Sequence, residues 1–184
     1  MTSILKVDTL QDSGGNAILS SDGAGTITTT KLGITEADQW RLTANTNSGT
    51  DADVTTSWER NDNSGYANIG TGMTESSGIF SFPSTGIYLI TFFADMYVTS
   101  GDTATVSMSI TQNNSTFSQV GACTGTAVGG DFYTKPTTSF IFDVTNTSND
   151  KLKFTSISFA AGTLLRGNTA SNNTLVNFIR LGNT

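Results

Sequence analysis

The stretch "GIFSFPSTGIYLITFFADMY", residues 78–97, contains a strand that is apolar on both of its faces. Successive side chains of a strand point to opposite sides. From residue 87 onward, one side carries an unbroken apolar set, Tyr88, Ile90, Phe92, Ala94 and Met96. The other side is interrupted only by Thr91 and Asp95 and carries Ile87, Leu89, Phe93 and Tyr97. The first set predicts a strand that faces the core. The second set forms another apolar face, which must be buried against a further part of the chain or against another molecule.

The composition indicates an all-β protein without an enzyme's usual side chains. Only 13% of the residues are charged, the net charge is −6, and His is absent. Nine Lys and Arg residues in an acidic chain give no basic surface for nucleic acid. Cys123 is the single cysteine, which excludes an intrachain disulfide and a thiolate zinc site. We therefore expect no catalytic site, no cofactor, no metal and no nucleic-acid partner.

Residues 1–36 differ from the rest of the chain. Short strand-like runs at 4–10, 16–19 and 26–32 are separated by turns rich in Gly, Asp and Ser. Because large apolar residues are few, this segment needs a partner or copies of itself. "GITEADQW" at 33–40 predicts a short helical turn, with Thr35 as its cap and the acidic residues Glu36 and Asp38 in its first turn. We place the domain boundary after residue 36.

The first residues show no signal peptide, because no basic region precedes an apolar run. The longest apolar run is also too short to cross a bilayer. We therefore expect a soluble chain that is made in the cytoplasm and does not insert into a membrane.

From residue 37 to 184 the sequence shows many short strands separated by turn signals, which favours a sandwich or barrel. The strand-like runs are 39–46, 56–61, 67–73, 78–83, 86–98, 104–114, 116–123, 137–146, 150–159 and 174–182. Two of them alternate cleanly. We predict that their apolar residues face the core and that the intervening Ser, Thr and Asp side chains face water. The core-facing set is Val106, Met108, Ile110, Phe140, Phe142 and Val144.

The order of these motifs resembles the globular head of the first complement component and the related tumour-necrosis-factor-like jelly rolls. The run from Gly78 to Phe92 is similar to the family pattern G-x-F-x-x-P-x-x-G-x-Y-x-F-x-F. "VSMSITQNNSTF", "SFIFDVTNTSNDKLKF" and "TLVNFIRLG" follow in the family's order, although Asn177 and Arg180 depart from its usual last strand. The resemblance implies an antiparallel jelly-roll β-sandwich over residues 37–184. Some other β-sandwich with a Pro-Gly turn before a buried strand is the alternative.

The resemblance also implies a homotrimer, because the inner sheet of these jelly rolls is buried against neighbouring copies around a threefold axis. On that basis Ile87, Leu89, Phe93 and Tyr97 are predicted to form the trimer contact. The alternative is that a loop or the N-terminal segment covers this face.

The opening "ILKVDTLQDSGGNAILSSDGAGTITTT" resembles the start of virion structural and fibre-like proteins of tailed bacteriophages. This resemblance implies that residues 1–36 are a short extended attachment segment, with the apolar residues Ile4, Leu5, Val7 and Leu10 meeting the particle. We therefore expect a virion location, other virion proteins as partners, and a host surface glycan as a further ligand. A head decoration protein that stabilises the capsid and a free carbohydrate-binding module remain as alternatives.

Acidic residues in turns are the remaining candidates for chemistry. They match no complete calcium-loop spacing, so solvated turn aspartates are the favoured interpretation. These residues are Asp51, Asp53, Asp102, Asp131 and Asp150.

Overall fold

The structure is a computed structural model that describes residues 7–24, 27–29 and 33–184, with only the backbone described for 27–29. The chain divides into two compact units, Met1–Thr35 and Glu36–Thr184. The described residues form strands and contain no α-helix. No helix in the described part could therefore cross a membrane. The all-β prediction is confirmed.

The first unit contains a three-stranded antiparallel sheet of β1 (Thr9–Gln11), β2 (Ala17–Ser21) and β3 (Ile27–Thr29), with β2 in the middle. Asp12 shapes the β1–β2 turn by accepting hydrogen bonds from the backbone N–H groups of Gly14 and Asn16. These bonds, with that from the Asn16 side chain as the largest cause, lower the pKa of Asp12. Parts of the three predicted strand-like runs thus pair with one another, whereas residues 4–6, 26 and 30–32 of those runs lie outside the described residues. The described side chains are exposed or half-buried.

The second unit is an antiparallel jelly roll. One five-stranded sheet has the order β13 (Thr137–Val144), β8 (Gly86–Phe93), β16 (Leu175–Gly182), β4 (Ala37–Leu42), β5 (Trp58–Arg60). The other has the order β11 (Ser118–Thr126), β10 (Thr103–Thr111), β14 (Lys151–Ile157), β7 (Ile79–Ser81), β6 (Thr74–Ser76). A three-stranded sheet consists of β12 (Phe132–Thr134), β9 (Met96–Val98), β15 (Leu164–Leu165).

The long apolar stretch of the sequence is divided between two of these sheets. β8 ends at Phe93, and the N–H of Asp95 donates to the Thr174 hydroxyl at 3.1 Å instead of to a neighbouring strand. The chain then continues as β9, which pairs with β12 and β15. This break separates Tyr97 from the strand that carries Ile87, Leu89 and Phe93.

The core lies between the two five-stranded sheets and is rich in aromatic rings. Tyr88, Ile90, Phe92, Ala94 and Met96 are all 0% exposed, which confirms the core face predicted for this stretch. Val106, Met108, Phe142 and Val144 are also buried, whereas Ile110 and Phe140 pack against the core from its margin. Edge-to-face and stacked contacts among Phe80, Phe82, Phe92, Phe154 and Phe178 join the two layers.

Residues 33–40 do not form the predicted helical turn. Residues 37–42 form β4, which pairs with β16 and β5. Asp38, expected in the first turn of a helix, is only 4% exposed and receives hydrogen bonds from the Trp40 side chain and the Met73 backbone. Burial of this strand face overrides the local turn chemistry.

The strand predicted at 67–73 is also wrong. Ile69 makes a single bridge to Ala37, and Gly70 and Gly72 have φ values of 73° and 75°, which favour a loop. A two-residue turn with positive φ at Ser77 and Gly78 instead connects β6 to β7. A Cβ on Gly78 would lie 2.4 Å from the Val54 carbonyl oxygen, so this turn requires glycine.

Two serines of β10 do not face water as predicted. Ser107 and Ser109 are 3% and 8% exposed. They pair with Thr155 and Lys153 of β14. Because β10 lies between two other strands of the sheet, these longer neighbouring side chains cover the serines.

Candidate subunit interface

Three of the four predicted trimer-contact residues lie together on one face of β8. Ile87, Leu89 and Phe93 are half-buried and alternate with the fully buried residues of the core face. They therefore lie on the outer side of the five-stranded sheet that contains β8. Their contact with other copies of the chain stays a prediction.

An apolar row crosses the outer face of this sheet. Leu89 pairs with Ile141 of β13 on one side and with Ile179 of β16 on the other. Ile179 pairs in turn with Ala37, which bridges to Ile69. Ile141 is 59% exposed and Ile69 is 47% exposed, so the row remains open to solvent at both ends. Sequence analysis missed Ile141 and Ile179. Each precedes or follows a core phenylalanine, Phe142 or Phe178, in its strand, so the alternation of side chains could have placed it on the outer face.

A polar row runs beside the apolar row. Thr91 pairs with Asn177, whose side-chain oxygen accepts a hydrogen bond from Gln39 at 2.6 Å. The Gln39 oxygen accepts bonds from the side-chain amides of Asn61 at 2.6 Å and Asn172 at 2.8 Å. These bonds fix the orientation of the amides on the sheet surface. Asn177, which departs from the family pattern, thus has a structural role in this row.

Tyr97, the fourth predicted contact residue, lies in the three-stranded sheet and belongs to a separate cluster. It pairs with Tyr133 and Leu164. Its hydroxyl donates to the Asp131 carboxylate, which raises the pKa of Tyr97 and lowers that of Asp131. Its role in a trimer contact also stays a prediction.

The predicted attachment residues are only partly within the described chain. Val7 and Leu10 are 55% and 48% exposed, and Ile18, which sequence analysis missed, is 47% exposed. Ile4 and Leu5 lie outside the described residues. The described members are accessible to a partner, and their contact with a particle remains a prediction.

The candidate acidic residues are engaged in local structure. Asp53 accepts bonds from Lys153 and Thr155, and Asp102 accepts a bond from Thr163. Asp150 accepts bonds from two backbone N–H groups of the turn before β14. Within the described ranges, no group of three or more His, Cys, Asp or Glu side chains could hold a metal ion. Burial raises the pKa of the Cys123 thiol to about 11, which keeps it protonated near neutral pH.

Comparison with solved structures gives the architecture independent support. Murine APRIL at pH 5.0 matches with a TM-score of 0.59 and 15% sequence identity, covering 79% of this chain and 98% of that one. Eiger TNF from S. frugiperda matches with a TM-score of 0.60 and 15% identity, covering 80% of this chain and 93% of that one. The fold is a tumour-necrosis-factor-like jelly roll. No family model and no curated protein matches the sequence.

Proposed function

We propose that this protein is a non-enzymatic structural subunit of a tailed-bacteriophage particle, in which three copies form a knob. The N-terminal segment attaches the knob to the particle, and the knob presents its free surface to the host. The protein is thus a fibre-like appendage located on the virion.

The apolar row carries this proposal. Leu89, Ile141 and Ile179 form a continuous apolar surface on the outer side of a sheet whose other side is already filled by the core. A surface of this kind is an association liability in a monomer and is typical of a subunit contact. Ile87 extends it along β8, and Phe93 lies on the same outer side beyond the polar row that begins at Thr91. A neighbouring copy that spans both rows would cover the residues predicted from the sequence.

The polar row supports a specific subunit contact and not nonspecific hydrophobic association. Gln39 and Asn177 hold each other in one orientation, so they present fixed donors and acceptors beside the apolar surface. An interface that combines apolar burial with oriented polar groups favours one register over others. The resemblance of residues 1–36 to phage attachment segments supports the virion location.

Light scattering of the purified full-length protein tests the trimer. We expect a mass of about three times the 19.3 kDa chain at micromolar concentration. A monomeric mass with the jelly roll folded would overturn the subunit contact.

Imaging of particles with labelled protein tests the location. Label on the tail supports the appendage, whereas label on the capsid shell would replace it with a head decoration protein. Absence of label from both would overturn the virion proposal.

A further inference from the structure

Two tyrosine rings, one half-buried and one exposed, meet at the surface of the three-stranded sheet. Tyr97 and Tyr133 are paired across β9 and β12, with ring centroids 5.1 Å apart and ring planes at 49°. Tyr133 is 62% exposed, so the fold does not need its ring for the core. Such rings offer a flat apolar surface to a ligand.

Charged side chains hold this aromatic surface in place. The Arg166 guanidinium lies 4.7 Å from the centre of the Tyr133 ring and is paired with Asp95 at 3.0 Å. On the other side, the Asp131 carboxylate accepts hydrogen bonds from the Tyr97 hydroxyl and from the Ser100 N–H. The rings therefore lie between two fixed polar groups.

Asn45 completes a shallow pocket of ≈ 210 Å³ with Tyr97, Tyr133, Leu164 and Arg166. The Asn45 side-chain oxygen accepts a hydrogen bond from the Gly167 N–H at 3.1 Å. Its Nδ2 group makes no hydrogen bond to any other described residue and so remains a donor. The pocket thus combines aromatic faces with donors and an acceptor, which is the arrangement of a small-molecule site.

We propose that this pocket binds a neutral sugar ring of a surface polysaccharide. The apolar face of a pyranose would lie against the Tyr97 and Tyr133 rings beside Arg166, and its hydroxyl groups would bond to Asn45 and Arg166. Hydroxyl groups both donate and accept, so they match a site that offers both kinds of partner.

The charges in the pocket decide between neutral and anionic sugars. Arg166 is already neutralised by Asp95, and Asp131, which lies beside the pocket and is bonded to the Tyr97 hydroxyl, adds a negative charge to a chain whose net charge is −6. An acidic sugar would be repelled, whereas a neutral sugar would not.

This inference rests on the proposed surface-binding role of the knob and names its ligand class. It assigns Tyr97 to a ligand site in place of the subunit contact predicted from the sequence. Leu89, Phe93 and the apolar row remain the proposed subunit contact, so the two sites are separable by mutation.

Binding is tested with the full-length protein on a glycan array printed with neutral oligosaccharides of glucose, galactose, mannose and N-acetylglucosamine. The oligosaccharide that gives the strongest signal is then titrated in solution. We expect saturable binding that weakens about tenfold or more in Tyr133→Ser, the scale of one lost aromatic stacking contact. Tyr133→Phe keeps the ring and should bind normally. Phe117→Ser is the matched control and should also bind normally. It removes an aromatic ring that contacts Lys153 of β14, which belongs to a five-stranded sheet and not to the sheet of the pocket.

Failure to bind any printed probe, or equal binding by wild type and Tyr133→Ser, would overturn the sugar site. The oligomeric mass of the Tyr97→Ser variant, measured by light scattering, distinguishes failure of the sugar site from failure of the proposed trimer. Loss of sugar binding by an intact trimer supports the sugar site. Dissociation of the trimer in this variant would overturn the assignment of Tyr97 to the pocket while supporting the trimer. A monomeric wild type that binds the sugar through Tyr133 would support the sugar site and overturn the trimer.

Discussion

Phe92 of β8 stacks on Phe154 of β14, with 4.1 Å between the ring centroids and 21° between the ring planes. Both rings are 0% exposed, and they belong to opposite sheets of the sandwich. The stack is therefore a direct link between the two layers. Phe93, the next residue in the chain, lies on the outer side of its sheet. Adjacent residues thus serve two different surfaces.

Phe92→Ala should lower the free energy of unfolding by about 3 to 5 kcal/mol, because it leaves a cavity between the sheets. Urea denaturation followed by tryptophan fluorescence measures the change. Phe117→Ala is the control and should cost about 1 kcal/mol or less, because Phe117 contacts Lys153 outside the core. Equal losses in the two variants would contradict the central role of the Phe92–Phe154 stack.

Phe93→Asp should dissociate the trimer while leaving the subunit folded. The substitution places a carboxylate on the proposed contact surface, and an unpaired buried charge costs about 3 kcal/mol or more per subunit. Light scattering and circular dichroism measure mass and folding together. Thr124→Asp is the matched control, because Thr124 is exposed on β11 of the opposite sheet.

Phe92→Asp provides the contrasting result and should prevent folding of the subunit itself, because its carboxylate would lie in the core. A Phe93→Asp protein that remains trimeric would remove Phe93 from the contact.

The sequence predicted the strands that contribute large apolar residues and missed the elements determined by distant partners. The parity of residues 87–97 was sufficient to identify the core face of β8. By contrast, Asp38 resembles a helix-start residue locally, and only the tertiary fold brings Arg60 and Tyr66 to its carboxylate. The short strands β12 and β15 were missed because each gains its pairing from β9 and has little pattern of its own.

The same limit applies to the candidate sites. Four outward residues were predicted from one run of sequence, but the apolar row also needs Ile141 and Ile179 from other strands. The break between β8 and β9 then moves Tyr97 into another sheet. No local signal specifies this break, because the hydrogen-bond partner of the Asp95 N–H is the hydroxyl of Thr174, 79 residues away in the sequence.

Asp38→Asn should lower the free energy of unfolding by about 3 kcal/mol or more, because the buried carboxylate serves an ion pair and several donors at once. Arg60 lies 3.1 Å from Asp38, whose side chain is 0% exposed. Asp143→Asn is the matched control, because Asp143 is exposed on β13 and its substitution should cost about 1 kcal/mol or less. Urea denaturation measures both, and similar effects would contradict the importance of burial.

Alkaline pH should destabilise the fold through Tyr66. Burial and the hydrogen bond to Asp38 raise the pKa of Tyr66 from 10.0 to about 12. Because the folded-state pKa lies above the unfolded one, the stabilisation is complete below pH 10 and is lost as the pH rises toward 12. Tyrosinate absorbance should show a late titration step whose amplitude falls by one tyrosine in Tyr66→Phe, with the remainder from Tyr88 and Tyr97, whose pKa values are also raised. An unchanged late step in that variant would contradict the assignment.

Deletion of residues 1–35 should leave a folded trimer of nearly unchanged stability. Among the described residues, the hydrophobic core cluster lies in the second unit, from Leu42 to Phe178. The two five-stranded sheets therefore form a complete sandwich without the first unit. Light scattering and thermal unfolding of the truncated protein measure both properties. Loss of the trimer would mean that the N-terminal segment takes part in the subunit contact.

The same deletion should abolish incorporation into the particle, because the exposed apolar residues of the first unit are then lost. Burying Val7, Leu10 and Ile18 against a virion protein could supply about 1.5 to 3 kcal/mol for each side chain. The measurement adds truncated and full-length protein to particles that lack this component and compares the amounts retained after washing. Leu10→Asp in the full-length chain should also reduce retention, whereas Thr124→Asp, at an exposed position on β11 of the jelly roll, is the control. Equal retention of the truncated and full-length proteins would show that the jelly roll itself binds the particle, as expected of a capsid decoration protein and not of an appendage attached through its N-terminus.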